Sequence, residues 1–199
     1  MSARIRFAAA GDAGGVAQIY APFCQSTTTS FEEVPPTAEQ MAERITRISQ
    51  QFPWLVCEVD GRIAGYVCGR EFRDRAAYRW AVEVTAYMAT GHRRRGVGRA
   101  LYTSLFAMLR QQGYFKAFAG ITLPNEASVG LHEAMGFQPV GVYQGVGYKI
   151  GRWLDVGWWQ LSLQPETDDP PWPRPISALR QSDGVAAALA AGQRLVAVT

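Results

Sequence analysis

The chain has 199 residues, 48% of them hydrophobic, and a formal net charge of +3. That length suits one buried core with a short appendage and is too small for two full domains. The charge is too low to indicate nucleic-acid binding by bulk electrostatics, and no apolar run approaches the roughly 18 residues of a membrane span. The first ten residues lack the apolar segment of a signal peptide, so the sequence predicts a cytoplasmic protein.

Local patterns predict alternating helices and strands along the chain. Asp12 is a candidate N-cap for the first helix, and Thr37 with Gln40 forms a capping-box pattern ahead of the second. The predicted helices cover residues 13–23, 37–51, 97–113 and 125–136. The predicted strands cover residues 54–59, 63–70, 80–89, 117–122, 137–144 and 153–163. This order predicts an α/β or α+β protein with a mixed sheet.

The three cysteines and two histidines give no sign of a disulfide or a metal site. Cys57 and Cys68 flank an Asp60-Gly61 turn, and in a two-residue hairpin Cys57 would face Ala64 rather than Cys68. Buried reduced thiols are therefore expected. No Cys/His cluster has metal-ligand spacing, so no zinc site is expected.

The composition changes beyond Leu163. Five prolines lie between Pro165 and Pro175, and an alanine-rich segment follows. Such a segment predicts a loosely ordered tail laid over the domain. The predicted boundaries are therefore a domain over residues 1–164 and a Pro/Ala-rich tail over residues 165–199.

The stretch GHRRRGVGR over residues 91–99 joins a predicted strand to a predicted helix. A helix N-terminus offers free N–H groups, and glycines let the backbone close on a phosphate. The stretch is not a P-loop, because it lacks G-K-[ST]. Gly96 and Gly98 give only part of a dinucleotide fingerprint, whose third glycine is replaced by Leu101. On these residues alone, a solvated basic turn is the simpler interpretation.

The pattern Arg93-x-x-Gly96-x-Gly98 resembles the R/Q-x-x-G-x-G/A signature of the GCN5-related N-acetyltransferases (GNAT). Over roughly Ile5 to Leu163 the chain also resembles phosphinothricin N-acetyltransferases and their relatives that acetylate methionine sulfoximine and sulfone. The blocks that carry this resemblance are FPWLVCEVDGRIAGYV, RAAYRWAVEVTAYM, LPNEASVGLHEAMGF and GYKIGRWLDVGWWQ. The resemblance implies a GNAT fold, with a mixed central sheet of about seven strands flanked by helices, and acetyl-CoA as co-substrate without a metal.

The resemblance also implies which residues bind acetyl-CoA. The amides of the 91–99 loop are expected to bind the pyrophosphate. The backbone of the strand after Glu83 is expected to hold the pantetheine arm and to polarise the acetyl carbonyl. Asn125 and Ser128 match an N-x-x-S block that contacts the arm, and Asn125 is equally a candidate N-cap. The implied set is Ala86, Tyr87, Met88, Arg93, Arg94, Arg95, Gly96, Val97, Gly98, Arg99, Asn125 and Ser128.

Two residues are candidates for catalysis. Glu83 is the one acid in a strand that is otherwise apolar from Trp80 to Ala86. A desolvated carboxylate binds a proton more tightly, which suits a general base near neutral pH, although strand alternation alone equally allows Glu83 to point into solvent. The resemblance implies that Glu83 is the base, directly or through water. His132 stands where many superfamily members have a tyrosine that protonates the CoA thiolate, and either His132 or solvent would do so here.

The acceptor site is predicted from the segment FRDRAAY and two separate residues. Arg73 and Arg75 ahead of Tyr78 form a candidate clamp for a carboxylate or phosphinate, since a guanidinium pairs with both in a bidentate manner. Without the resemblance, a solvated charged loop would be preferred. The resemblance adds Phe31 and Val156 as pocket walls. Lysine is common where Arg73 stands in phosphinothricin enzymes, which leaves the choice between phosphinothricin and methionine analogues open.

The resulting prediction is an acetyl-CoA-dependent N-acetyltransferase acting on the α-amino group of a small, amino-acid-like acceptor. The alternatives are a GNAT enzyme for a peptide N-terminus, a polyamine or an aminoglycoside, and a non-catalytic acetyl-CoA-binding protein. The family resemblance implies a homodimer in which the final strands lie near the partner subunit. Core packing or a dimer interface is the simplest role for Trp153, Trp158 and Trp159 on these strands. Neither a nucleic acid nor a membrane is expected as a partner.

Overall fold

A seven-stranded sheet in the order β1-β2-β3-β4-β5-β7-β6 forms the centre of the computed structural model, which describes residues 3–196. The strands are β1 (Ala3–Phe7), β2 (Trp54–Val59), β3 (Arg62–Glu71), β4 (Ala81–Met88), β5 (Lys116–Leu123), β6 (Gln138–Lys149) and β7 (Arg152–Ser162). The helices are α1 (Ala13–Gln25), α2 (Ala38–Gln51), α3 (Val97–Gln112), α4 (Glu126–Ala134), α5 (Ile176–Leu179) and α6 (Asp183–Gln193).

The sheet is mixed, as predicted, because β4 and β5 run parallel while every other neighbouring pair is antiparallel. The chain-order prediction missed β1. Its alternation of charged and apolar side chains is only five residues long, too short for a periodicity argument, and its partner β2 lies about fifty residues away. The strand that was expected over 137–144 continues to Lys149 as part of β6.

Two local predictions need correction. Cys57 faces Gly65 and not Ala64, because a β-bulge between Cys57 and Glu58 shifts the β2–β3 register by one residue. Asp12 makes no side-chain cap to α1. Its carboxylate instead binds the guanidinium of Arg6 at 2.6 Å, so a tertiary ion pair uses the oxygens that a cap would need.

Other local predictions are confirmed. The Thr37 hydroxyl accepts the Gln40 N–H, and the Gln40 side chain accepts the Thr37 N–H, which completes the capping box of α2. Gly113 ends α3 with φ +93°, a left-handed value that glycine adopts without strain. The three cysteines are buried and unpaired.

Two clusters of buried side chains cover the two faces of the sheet. The larger cluster packs α3, α5 and α6 against one face, and Leu101, Leu105 and Met108 of α3 lie wholly buried in it. The smaller packs α1 and α2 against the β2–β3–β4 side of the other face. Because both faces are covered near β4, the side chains of this strand are held in place from above and below. Within residues 3–196, no helix is long and apolar enough to cross a membrane.

The C-terminal segment is more ordered than its composition predicted. Residues 176–196 contain α5 and α6, and Ile176, Val185 and Ala188 are buried in the larger core cluster. Gly192 brings α6 so close to α3 that a Cβ atom there would meet the Ala100 carbonyl. Pro175 immediately precedes α5, and the alanines supply the small surface that close helix packing needs. A segment whose composition is typical of a loose tail therefore forms a packed layer.

Candidate active site

The sheet opens between β4 and β5 immediately after Glu83. The two parallel strands pair only from Ala81 to Glu83 on β4, whereas β4 continues to Met88 and β5 to Leu123. Beyond Glu83 the edge of β4 that faces β5 is therefore unpaired, while its other edge stays bonded to β3. Unpaired backbone groups inside a protein need partners, so this gap suits an extended chain that carries amide groups.

The loop at the end of β4 has the shape of an anion site. Arg94 and Gly96 both adopt left-handed backbone values, with φ +60° and +77°. The first hydrogen bond of α3 runs from the Ala100 N–H to the Gly96 carbonyl, and Gly96 supplies no side-chain cap. The N–H groups of the first helical turn thus point out of the helix without intrahelical partners, at the positive end of its dipole.

Four arginines surround this helix end. Arg93, Arg94, Arg95 and Arg99 are all exposed, and among residues 3–196 none of them forms an ion pair with a carboxylate. The guanidinium of Arg93 lies 5.4 Å above the ring of Phe23. Unpaired cations at a helix N-terminus leave a concentrated positive field, which is suited to a polyphosphate.

A narrow cavity of about 40 Å³ continues from this gap and is lined by β4, β5 and α4. Asn125 and Ser128 both line it, and the Asn125 side chain also accepts the Ser128 N–H at 3.2 Å. Asn125 therefore caps α4 and faces the cavity with the same side chain. Gly98, in the first turn of α3, packs closely against α4, since a Cβ atom there would approach the Leu131 side chain to 3.1 Å.

His132 borders the same cavity but is only 5% exposed. Its Nδ1 lies 2.7 Å from the Ser128 carbonyl oxygen, and its Nε2 lies 2.9 Å from the Tyr102 hydroxyl. A carbonyl only accepts, so Nδ1 carries the proton and Nε2 accepts from Tyr102. Burial lowers the pKa of His132, which keeps the ring neutral at pH 7 with both nitrogens occupied.

Glu83 points into a larger cavity of about 560 Å³ on the side of the sheet covered by α1 and α2. Its side chain is 12% exposed and accepts a hydrogen bond from Arg70, the residue directly opposite on β3. Strand alternation left the direction of Glu83 open, and packing decides it. The carboxylate stands at the wall of the cavity where β4 and β5 begin to separate.

Charged and aromatic side chains make up much of the wall of this acceptor cavity. Three arginines and two glutamates line it, namely Arg44, Arg70, Arg73, Glu32 and Glu83. Arg44 and Glu32 form a bidentate pair at 2.8 and 2.9 Å. Arg73 makes no carboxylate contact among residues 3–196, and its guanidinium lies 4.4 Å over the ring of Phe72.

Lys149 holds the loop that forms one side of this cavity. It is 4% exposed, and its ammonium donates to the backbone carbonyls of Phe23, Ser30 and Glu32 at 2.6 to 3.2 Å. Three carbonyl dipoles replace the water that the buried ammonium gives up. The loop between α1 and α2 is thereby fixed to the end of β6.

The predicted acceptor residues are brought together only in part. Phe31, Arg73 and Val156 line the cavity, and Phe31 packs against Gly147, where no Cβ atom would fit. Arg75 is exposed and does not line it, and Tyr78 faces a separate cleft beside Phe72, Trp80 and Phe118. The clamp predicted from Arg73 and Arg75 is therefore not formed in this structure, because only Arg73 lines the cavity.

Sequence reasoning missed three charged residues that line the cavity, Arg70, Arg44 and Glu32. It also missed Lys149, which holds the adjoining loop. The β3–β4 register places Arg70 opposite Glu83, and this pairing could be found only once both strands and the length of their connection were known. The contacts of the other three residues join α2, β6 and the intervening loop. No local sequence motif predicts such contacts.

Cys68 also lines the acceptor cavity, and burial raises the pKa of its thiol to about 12. The thiol therefore stays protonated near neutral pH and is a poor nucleophile.

The three tryptophans of β7 have different environments: Trp159 is buried, Trp158 lines the cavity, and Trp153 is 70% exposed. No group of three His, Cys, Asp or Glu side chains within the described range could hold a metal ion.

Comparisons with known proteins point in the same direction as this geometry. Residues 5–158 match the model of the acetyltransferase (GNAT) domain. The chain is 38% identical over 177 residues to the phosphinothricin N-acetyltransferase of Streptomyces viridochromogenes, covering 89% of this chain and 94% of that protein. It is 36% identical to the L-methionine sulfoximine/L-methionine sulfone acetyltransferase of Pseudomonas aeruginosa, covering 85% of this chain and all of that protein.

A solved structure supports the fold and the co-substrate. The phosphinothricin acetyltransferase of Sinorhizobium meliloti, determined in complex with acetyl-CoA, superposes with a TM-score of 0.81 at 33% identity. The match covers 86% of this chain and 94% of that chain. The seven-stranded sheet, the opening between two parallel strands and the arginine-rich helix end thus occur together in a chain similar to an acetyl-CoA-binding enzyme.

Proposed function

The chain belongs to the GNAT acetyltransferase family and is an acetyl-CoA-dependent N-acetyltransferase, and we propose that its acceptor is a small α-amino acid with a distal phosphinate, sulfoximine or sulfone group. The observation that carries the acceptor class is the cavity at Glu83, in which a buried carboxylate stands among three arginines. The relatives named for phosphinothricin and for methionine sulfoximine and sulfone act on compounds of this class.

Acetyl-CoA is assigned to the gap between β4 and β5. Its pyrophosphate binds the N–H groups at the start of α3, with Arg93, Arg94, Arg95 and Arg99 around it. Its pantetheine arm lies along the unpaired edge of β4 and reaches the narrow cavity beside Asn125 and Ser128. The residues proposed to hold it by their backbone or by close packing are Ala86, Tyr87, Met88, Gly96, Val97 and Gly98. The thioester then ends near Glu83, where the strands separate.

The acceptor amine enters as an ammonium group from the opposite side. Glu83 takes one proton, directly or through water, and the neutral amine attacks the thioester carbon. Backbone N–H groups of β4 stabilise the negative charge that develops on the carbonyl oxygen. The carbon–sulfur bond breaks, the CoA thiolate leaves, and the acetylated nitrogen gives up its second proton to that thiolate, directly or through solvent.

His132 holds α4 against α3 in this proposal and does not donate the proton to the thiolate. Its one proton is bound to the Ser128 carbonyl, and its other nitrogen accepts from Tyr102. The protonated Cys68 likewise argues for direct transfer to the amine without an acetyl-cysteine intermediate.

The proposal extends to assembly and location. Val140, Val142, Tyr148, Ile150 and Trp153 are all at least half exposed along the last hairpin, and an apolar surface of this kind suits a homodimer interface. Light scattering at several concentrations would test the dimer, and a monomer throughout would exclude it. Three unpaired cysteines and the need for acetyl-CoA favour a cytoplasmic location.

The function is tested by following thiol release from acetyl-CoA with a panel of amines. We expect turnover with phosphinothricin, methionine sulfoximine and methionine sulfone, and little with spermidine, kanamycin or a short peptide. Polycations are expected to fail because the cavity wall carries more arginines than glutamates. Preferred turnover of a peptide or polyamine would contradict the proposed acceptor while leaving the acetyltransferase activity intact.

A further inference from the structure

The ion pair between Arg70 and Glu83 occupies the place where the reaction is expected to occur. The two residues are directly opposite on β3 and β4, and both line the acceptor cavity. The Arg70 side chain is 56% exposed, whereas that of Glu83 is 12% exposed. A guanidinium that is open on the cavity side keeps further N–H groups free while one binds the carboxylate, because arginine carries five donors.

The other cavity arginines are differently engaged. Both guanidinium branches of Arg44 bind the two oxygens of Glu32, which also accepts from the Tyr20 hydroxyl at 3.1 Å. This pair is already satisfied and forms part of the wall. The guanidinium of Arg73 lies over the rings of Phe72 and Trp158. Arg70 is thus the cavity arginine whose donors adjoin the carboxylate that is proposed to accept the amine proton.

An α-amino acid presents an ammonium group and a carboxylate on the same carbon atom. Its two charges are therefore as close together as those of Glu83 and Arg70, and of opposite sign to the residues they would meet. We propose that Arg70 recognises the α-carboxylate of the acceptor while Glu83 receives its ammonium group. This inference rests on the proposed function and names a specificity-determining residue for it.

Binding of the acceptor carboxylate to Arg70 changes the hydrogen bonding of Glu83, the proposed base. When the acceptor carboxylate binds Arg70, the guanidinium turns its hydrogen bonds from Glu83 to the ligand, and the freed Glu83 oxygen takes the ammonium proton. An amine without an adjacent carboxylate leaves the Arg70–Glu83 pair intact and the base occupied. Arg73 stays available for the distal group, a role for which its stacking on Phe72 and Trp158 orients the guanidinium.

The experiment compares methionine sulfone with its α-carboxamide, which keeps the amine and the sulfone but loses the carboxylate charge. Values of kcat/KM for both acceptors are measured with the wild-type chain, Arg70→Gln, Arg70→Lys, Arg73→Gln and Arg47→Gln. Arg47 lies on the exposed face of α2 outside the cavity and serves as the matched control. The ratio between the two acceptors is compared across variants, so the lower basicity of the carboxamide's amine cancels.

We expect Arg70→Gln to reduce the preference for the carboxylate by roughly 10- to 100-fold, mostly through a higher KM, as loss of a charge-assisted hydrogen bond predicts. Arg70→Lys should recover part of the preference, and Arg47→Gln should leave it unchanged. Acetyl-CoA affinity and the melting temperature verify that each variant is folded. If Arg70→Gln does not fold, Arg70→Lys alone decides, with an intermediate preference expected.

An unchanged preference in a folded Arg70 variant would overturn the inference. If the preference for the carboxylate is unchanged in the Arg70 variants but lost in Arg73→Gln, carboxylate recognition belongs to Arg73. Failure of the proposed function looks different, since the wild-type chain would then acetylate neither methionine sulfone nor phosphinothricin. The two failures are therefore separable in one set of assays.

Discussion

The proposed cofactor side of the site is built mainly from nine consecutive residues, 91–99, and an unpaired strand edge, whereas the proposed acceptor side gathers side chains from two helices, their connecting loop and several strands. On the cofactor side the backbone supplies the donors and the four arginines have no acidic partner among residues 3–196. On the acceptor side most charges are already paired with one another.

This difference follows from the two ligands. Acetyl-CoA has an invariant polyphosphate, which a helix N-terminus and unpaired cations can bind without exact side-chain geometry. An acceptor must be selected among many amines, and selection depends on a few side chains held in fixed positions. Internal ion pairs and the Lys149 contacts hold those positions when no acceptor is bound.

The largest expected effect is a loss of turnover on changing Glu83, while acetyl-CoA binding stays nearly the same. Replacing Glu83 with Gln keeps the shape of the side chain but removes the proposed base, and we expect turnover near pH 7 to fall by about 10²- to 10⁴-fold. Acetyl-CoA affinity should change little, because the cofactor contacts lie elsewhere. Single-turnover kinetics and calorimetry measure the two quantities. Unchanged turnover would remove Glu83 from the mechanism.

The converse effect is expected at Gly96. Its φ of +77° is strained for a β-branched residue, so Gly96→Val should displace the amides that begin α3. We expect acetyl-CoA affinity to fall about tenfold, on the order of the 1–2 kcal/mol that this backbone strain costs, with the acceptor KM nearly unchanged. Calorimetry and steady-state kinetics measure these values.

Gly91→Ala in the same loop is the matched control, because Gly91 has open space around it and no positive φ. Equal losses in both variants would show that the loop tolerates no added side chain at all. Such a result would contradict the specific role given to the Gly96 backbone.

The smallest expected effect concerns stability and pH at His132. Burial lowers its folded-state pKa below the ordinary value of 6.5, so the unfolded chain binds a proton more readily. Stability from this group is complete above pH 6.5 and is lost as the pH falls toward the folded pKa, with a slope of at most about 1.4 kcal/mol per pH unit.

His132→Gln preserves a donor for the Ser128 carbonyl and an acceptor for Tyr102, and should lack that slope. Urea unfolding of both proteins between pH 5.5 and 7.5 measures it. Parallel stability profiles for the two proteins would contradict the lowered pKa of His132, and a strong loss of turnover in the variant would show that His132 protonates the thiolate.

Several elements of the fold were accessible from local signals. The capping box at Thr37 and Gln40 and the glycine at position 113 were correctly read, because the contacts that fix them lie within a few residues. The Cys57 register was wrong because a bulge leaves no mark in composition. The Asp12 cap was wrong because Arg6 competes for the same oxygens.

The candidate site likewise has one part that could be predicted from local sequence and one part that depends on the fold. The amide-rich helix end and its four arginines could be proposed from one contiguous stretch, and the family resemblance supplied the ligand. The clamp was placed at Arg73 and Arg75 because the two residues are neighbours in sequence. The structure separates them and places Arg70 beside Glu83, since antiparallel pairing, and not chain proximity, sets which side chains face each other.

By itself the sequence determined the order of helices and strands from the first helix to the last strand, the loop at residues 91–99 and the acid at position 83. Each depends on short-range periodicity, helix-end chemistry or the cost of a carboxylate in an apolar strand. Only the tertiary structure decided that Glu83 faces the acceptor cavity, that Arg70 is its partner and that the C-terminal segment packs on α3. These features depend on contacts between residues distant in the chain, and the free energy of such contacts is set by the burial of whole surfaces.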